Sequence, residues 1–370
     1  MRPRGMKLTL AAAAALTASA LGTAACGTAV ATSAVAYQAS AAKPPGWRVV
    51  QTIGPAKGNV SGLLTADSAT DAWSVWTGPG VTLAERWTGR AWTRIRVPGS
   101  LAADADTAVA IGASSASDLW LFDTNQTTRA LRWTGAKWVT QTIPPWVLRR
   151  DSSGTVTATT AVFSPRDVWV FSLGTGAYAA HYNGHGWAKV RLPAIPLEAS
   201  AAAPGDIWAL SSSISSVMHW DGKKWGRIGL PLLPLPVGAK VSYSNVTAVG
   251  PRNAWLFRSI SFPSKPIPVT AVMHWNGKSW LTVAGPADIV GSMAPDGNGG
   301  LWADGIDINP GGFWLLYHLT AGHWRQDTPP GVDVHSPTPL THIPGTRSLW
   351  ATGTAFGPKG YAGLILKYGS

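Results

Sequence analysis

Few residues in this chain are equipped for chemistry. Among 370 residues there is one cysteine, Cys26, so the sequence holds neither a disulfide framework nor a cysteine-based zinc site. Glutamate occurs only as Glu85 and Glu198, which weighs against a glycosidase built on two glutamates. No Gly-x-Ser-x-Gly elbow, Walker loop or His-Glu-x-x-His motif is present. The Gly-rich segment Asp304-Gly305-Ile306-Asp307-Ile308-Asn309 offers oxygen ligands for Ca2+ from Asp304, Asp307 and Asn309, without the terminal glutamate of an EF-hand loop. No other cofactor is expected. Three tryptophans, Trp76, Trp146 and Trp314, stand apart from the rest, and the cations Arg149, Arg150, Arg258 and Lys265 lie in similar stretches. Aromatic planes beside such cations suit an anionic or glycan ligand, held by ring stacking and charge-assisted hydrogen bonds.

Of the other eighteen tryptophans, Trp87, Trp133, Trp220 and Trp275 share one third-strand position, and fourteen form two series. One follows an Asp-like position: Trp73, Trp120, Trp169, Trp208, Trp255, Trp302 and Trp350, at spacings of 47, 49, 39, 47, 47 and 48. The other follows a glycine turn: Trp92, Trp138, Trp187, Trp225, Trp280 and Trp324, with Trp47 as its seventh member. A period of 40–50 residues marks a repeat architecture. Each unit reads as four short β-strands separated by Gly/Pro/Asp turns, without helical periodicity. Seven such units predict an all-β, seven-bladed β-propeller over 46–370. The last unit stops at LILKYGS without its Gly-turn-Trp strand, and the first segment, GWRVVQTI, is that strand alone. The N-terminal strand is therefore expected to complete the last blade and close the ring.

These two Trp series resemble tectonin-type repeats, and the Trp-containing repeats of exported actinobacterial propellers. The blades are longer than tectonin blades. They lack the Gly-Gly doublet of most kelch blades, the Gly-His and Trp-Asp pairs of WD repeats and the sialidase Ser-x-Asp-x-Gly-x-Thr-Trp box. What the resemblance implies is a scaffold, and a scaffold leaves function open.

The residue before the shared third-strand aromatic position is basic in every unit: Arg86, Arg132, His181, His219, His274, His318 and Lys367. Such a ring invites an anion or metal site. Hairpin geometry offers another account, because the second and third strands place Arg86 near Asp71, Arg132 near Asp118, His181 near Asp167, His219 near Asp206 and His274 near Asn253. Repeated structural pairing is the favoured reading, since a paired charge is much cheaper to bury than a lone one. The variable surface lies elsewhere. The second-to-third-strand loops and the inter-blade connections must share one face, and the long irregular segments 141–156, 231–243, 258–271 and 303–314 belong to it. Non-repeating loops on a rigid scaffold are the usual place for binding.

The N-terminus reads as an address. Residues 1–7 are basic and 8–25 are uncharged and Ala/Leu-rich, as in an export signal. Cys26 then follows Thr23-Ala24-Ala25, an arrangement similar to a bacterial lipobox, with 26–45 as a small-residue tether. Ordinary secretion, with cleavage after Ala41, and an uncleaved anchor are the alternatives. Loss of residues 1–25 leaves 27 basic against 18 acidic residues, or +9. The expected function is that of a membrane-anchored, non-enzymatic, monomeric binding module for a glycan, an anionic envelope polymer or a protein. The alternatives are an extracellular polysaccharide lyase or hydrolase using Asp304 or Asp307, and a structural adaptor docking through the apolar 231–236 loop. Nucleic acid is not expected, because no basic stripe is clustered.

Overall fold

The computed structural model describes residues 46–369 apart from 57, 59, 79–80, 99–108, 124–126, 212, 287–288, 307–313, 328–338 and 358–359. Over these residues the chain is all β, and 28 strands form seven four-stranded antiparallel sheets. Blade one runs through Ser61–Ser68, Asp71–Gly78, Val81–Trp87 and Trp92–Ile95, from the inner to the outer strand. The other blades repeat this order.

Blade seven is completed by the N-terminal strand. Trp47–Ala56 pairs antiparallel with Gly360–Tyr368 as the outer strand of the sheet that ends the chain. Trp47 also seats its ring edge-on against Trp302 at 5.3 Å, in the neighbouring blade six. The ring thus closes by pairing of the first described strand with the last, and Pro45–Ser370 is one compact unit that contains every described strand. Side-chain bonds between neighbouring inner strands stitch the centre. Thr160 donates to the Ile111 carbonyl at 2.5 Å, Thr341 to the Leu64 carbonyl at 3.2 Å, and Ser200 accepts the Ala248 N–H at 3.0 Å.

The second-strand tryptophans are the inter-blade core. Trp73, Trp120, Trp169, Trp208, Trp255, Trp302 and Trp350 are all buried. Each lies opposite the basic residue of the third strand, as Trp73 lies opposite Arg86 and Trp350 opposite Lys367. In four blades a histidine lies over the indole, at 4.3 Å for His181 on Trp169 and for His219 on Trp208 and 4.1 Å for His274 on Trp255 and for His318 on Trp302.

The expected pairs form. Arg86 meets Asp71 at 2.9 Å, Arg132 meets Asp118 at 2.7 Å, His181 meets Asp167 at 2.8 Å and His219 meets Asp206 at 2.7 Å. His274 reaches Asn253 at 2.8 Å. Blade six has Gly300 at the Asp position, and His318 instead pairs with Asp296 at 3.0 Å, four residues earlier on the turn. Lys367 has its ammonium over the Trp350 and Trp87 rings. The basic ring is thus a set of partly to fully buried structural pairs in six blades and, in blade seven, an ammonium over two tryptophan rings.

The segment 258–271, expected to be irregular, is regular, and so are the described residues of 303–314. Residues 258–271 belong to a long hairpin, Asn253–Phe262 and Lys265–Trp275, turning at Pro263-Ser264. Proline and serine break its hydrophobic alternation, but ladder pairing continues from Trp275 to Val269 opposite Ala254 to Ile260. Residues 303–306 complete the strand Leu301–Ile306, and Trp314 opens the strand Trp314–Thr320.

Candidate ligand-binding site on the loop face

The connection 143–157, between blades two and three, is built around four buried aliphatics: Ile143, Val147, Leu148 and Val156. Their burial in the core between these blades fixes both ends of the loop and leaves its polar residues outward. The backbone of Arg149 is clamped to Ser172, donating to its hydroxyl at 2.9 Å and accepting from it at 3.2 Å. Asp151 organises the tip, accepting from Ser153 N at 2.8 Å, Ser153 Oγ at 2.6 Å and Thr155 N at 3.0 Å. These bonds, the Ser153 hydroxyl foremost, hold its carboxyl below the usual carboxylate range. Arg150 donates to the Gly154 carbonyl at 2.8 Å.

Trp146 is half-buried at the base of this loop. It meets Tyr178 edge-on at 6.2 Å, and the Tyr178 hydroxyl donates to the Trp146 carbonyl at 2.9 Å. The Lys189 ammonium lies 5.2 Å from the Trp146 ring centre and 5.0 Å from that of Tyr178. Exposed Arg191 stands opposite Tyr178 in the ladder, and exposed Arg149 and Arg150 lie on the loop above. Gly176 makes the space: a Cβ there would lie 2.9 Å from Tyr178 Cε1 and 3.7 Å from the Arg149 guanidinium. Two aromatic rings, the Lys189 ammonium and the Arg149 guanidinium therefore share one corner of the loop face, with Arg191 opposite Tyr178 in the ladder and Arg150 next along the loop. Ring faces suit the C–H surface of a sugar, and the cations suit its carboxylate, sulfate or phosphate substituents.

Trp146, Arg149 and Arg150 lie together on this loop. Tyr178, Lys189 and Arg191 were missed, although Tyr178 carried a signal: it stands where blades one, two and four have Leu83, Arg129 and Ser216. Arg258 and Lys265 lie on blade five, beyond blade four. Arg258 is half-buried near Tyr243, whose hydroxyl is pushed up by burial, against the opposing effect of the Arg258 charge. Lys265 is exposed, with its ammonium 5.2 Å from the Phe262 ring centre.

Trp76 is a core residue. It is 0% exposed, donates to Ser74 Oγ at 3.1 Å and packs with Ile53, Val60 and Ile365 where blade one meets blade seven. It is shut off from any ligand, because the blade-one strand carrying it continues inward where an outward loop residue was expected. Asp304, read as a loop ligand, is 1% exposed on its strand, and its carboxylate accepts the Ser292 N–H. Among the described residues no three acidic, histidine or cysteine side chains are grouped to hold a metal ion. Asp307, Asn309 and Cys26 lie outside the described residues, and Trp314 is described in its backbone alone.

Two loop-face acids are tied down. The Glu198 carboxylate accepts the Asn245 N–H at 2.7 Å, where Asn245 adopts a φ of 55 at a bulge in the next inner strand. Burial nevertheless raises Glu198 to about 7, against the lowering effect of the Asn245 and Val246 N–H groups. Asp151 is occupied as described above.

No family model matches the chain, and no curated protein matches it in sequence. Solved structures do. YCF48 from Cyanidioschyzon merolae is similar with a TM-score of 0.56 at 15% identity, over 88% of this chain and 99% of that one. YCF48 bound to D1 peptide gives 0.54 at 12% identity, over 89% and 96%. Oligogalacturonate lyase from Vibrio parahaemolyticus gives 0.53 at 8% identity, over 88% and 96%. At these identities the likeness is one of fold, and it places this chain among the propellers.

Proposed function

We propose that this chain is an exported, lipid-anchored propeller that binds an anionic glycan or envelope polymer without catalysis, at the corner of the loop face between blades two and three. The observation that carries this reading is the Lys189 ammonium held over Trp146 and Tyr178, with exposed Arg149 and Arg150 on the same loop as Trp146 and exposed Arg191 opposite Tyr178. The basic balance of the chain favours a polyanion. Residues 1–26 supply the export and lipidation signals. YCF48 with its D1 peptide is a case of this fold holding a polymer chain, which is consistent with a binding role.

The test is binding of the purified 46–370 propeller to acidic and neutral polysaccharides at low and high salt. Acidic polymers should bind, and added salt should weaken them. Trp146→Ala and Lys189→Gln should each lower affinity by about tenfold, the scale of one good ring or charge contact. Unchanged affinity in both variants, or a salt-independent affinity, would refute the assignment.

A further inference from the structure

The described surface exposes nine large aliphatic side chains, and six of them gather on the loop face of blades four and five: Leu197, Ile214, Leu232, Val237, Ile267 and Val269. Their proximity follows from the backbone. Leu230 N–H bonds to the Ser215 carbonyl at 2.8 Å, which brings the start of the 230–239 connection beside Ile214. At its other end, a Cβ on Gly238 would lie 2.9 Å from Pro263 at the turn of the blade-five hairpin. That hairpin is a tongue. Its strands have 10 and 11 residues, against 6 and 5 in blade four, and at about 3.3 Å per residue it rises roughly 15 Å further. Val241, Ile260 and Val269 lie side by side across its three strands.

We propose that this tongue and the 230–239 connection form a bilayer-docking surface, inserting aliphatic side chains into an anionic lipid surface. Charge comes first. Lys240, Arg258 and Lys265 rim the patch, while Glu198 is the one acid on this face between 191 and 271, and its carboxylate is tied to Asn245. Cations around protruding aliphatics match an anionic headgroup layer over an acyl interior. Shape comes second. Leu232 is 92% and Val237 102% exposed, so both are projecting tips, where a cleft for a peptide would present partly covered side chains. Other occupants fit less well. A second copy would bring the same three cations against themselves across a two-fold axis. Strand addition is blocked along the tongue's free edge, where Pro266 and Pro268 carry no N–H. A patch of this kind on a soluble propeller would otherwise favour aggregation.

The projecting tips Leu232 and Val237 lie between blades four and five and are not part of the blade-three corner. The test is co-sedimentation of the 46–370 propeller with vesicles of phosphatidylglycerol and phosphatidylcholine, and with phosphatidylcholine alone. Binding is expected to the anionic vesicles, weaker in high salt. The pair Leu232→Asp and Val237→Asp should reduce it by about tenfold or more. These side chains are solvent-exposed, so the fold should survive, and circular dichroism checks it. Trp146→Ala should leave vesicle binding unchanged, which separates this result from the fate of the glycan reading. Failure to sediment with anionic vesicles would overturn the proposal. So would binding that is lost in Lys240→Gln with Lys265→Gln yet intact in the Leu232/Val237 pair, since that is charge without insertion.

Discussion

Trp76 is gripped between two glycines at the seam where the ring closes, and replacing either glycine tests whether that grip holds the seam. Gly62 lies on the inner strand of blade one and Gly363 on the third strand of blade seven. Both face the same edge of the indole. A Cβ on Gly62 would lie 2.6 Å from Cη2, and one on Gly363 would lie 2.7 Å from Cε3 and 2.8 Å from Cη2. Carbon atoms pack at about 3.5–4.0 Å, so the ring would have to retreat by about 1 Å. Gly363→Ala should therefore cost about 1–3 kcal/mol, in the upper part of that range. Trp76→Leu removes the ring edge and makes a cavity of its own, and in that background Gly363→Ala should cost well under about 1 kcal/mol. Urea unfolding of the 46–370 propeller, followed by circular dichroism, measures all four corners of this cycle. Gly226→Ala is the control, since a Cβ there meets nothing within 4 Å. Equal costs for Gly363→Ala in both backgrounds, or a cost no larger than the control, would refute the clamp.

Three further outcomes are expected. Arg132→Ala strands Asp118, which is 0% exposed, and should cost about 3–5 kcal/mol, whereas Arg325→Ala at the exposed Asp327 pair should cost under about 1 kcal/mol in the same urea assay. Burial raises Asp67 to about 7, aided by the charges of Asp71 and Asp118, and burial raises Glu198 to about 7 as well. Each folded-state value lies above its unfolded value, near 4, so the folded chain holds extra protons and these two groups withdraw stability as pH rises from about 4 to 7. The melting temperature of the Asp67→Asn, Glu198→Gln variant, minus that of the wild type, should then grow between pH 5 and pH 8; a constant difference would show that the two carboxyls are not strained. Trp47→Ala uncovers Trp302 and Tyr368 at the closing strand and should cost about 3–5 kcal/mol, read by the same unfolding curve.

Much of the scaffold was legible because every blade solves the same packing problem. The second-strand Trp must fill the space against its neighbour, so it returns at each blade, and the basic residue beside it follows from hairpin register. Where a blade departs from the pattern, legibility fails. Gly300 stands where blades one to four have Asp, and the partner of His318, Asp296, comes from the turn before the strand. The blade-five tongue pairs regularly from Ala254 to Ile260 although proline and serine interrupt the hydrophobic alternation nearby, because that part of the ladder, Val269 to Trp275, holds no proline.

The candidate site divides in the same way. Trp146, Arg149 and Arg150 are neighbours along the chain, so their grouping needed no fold. Tyr178 and Lys189 reach them only because the third and outer strands of blade three bring their rings and charges under the preceding loop. Trp76 looked like its off-repeat companions, yet its environment comes from Gly363, nearly three hundred residues away. The sequence alone determined the number of blades, the closing strand and the core tryptophans, because these follow from periodicity and strand-to-strand register. Tertiary structure decided which off-repeat residues are buried and which share an exposed corner, because that depends on contacts between chain segments that no local pattern encodes.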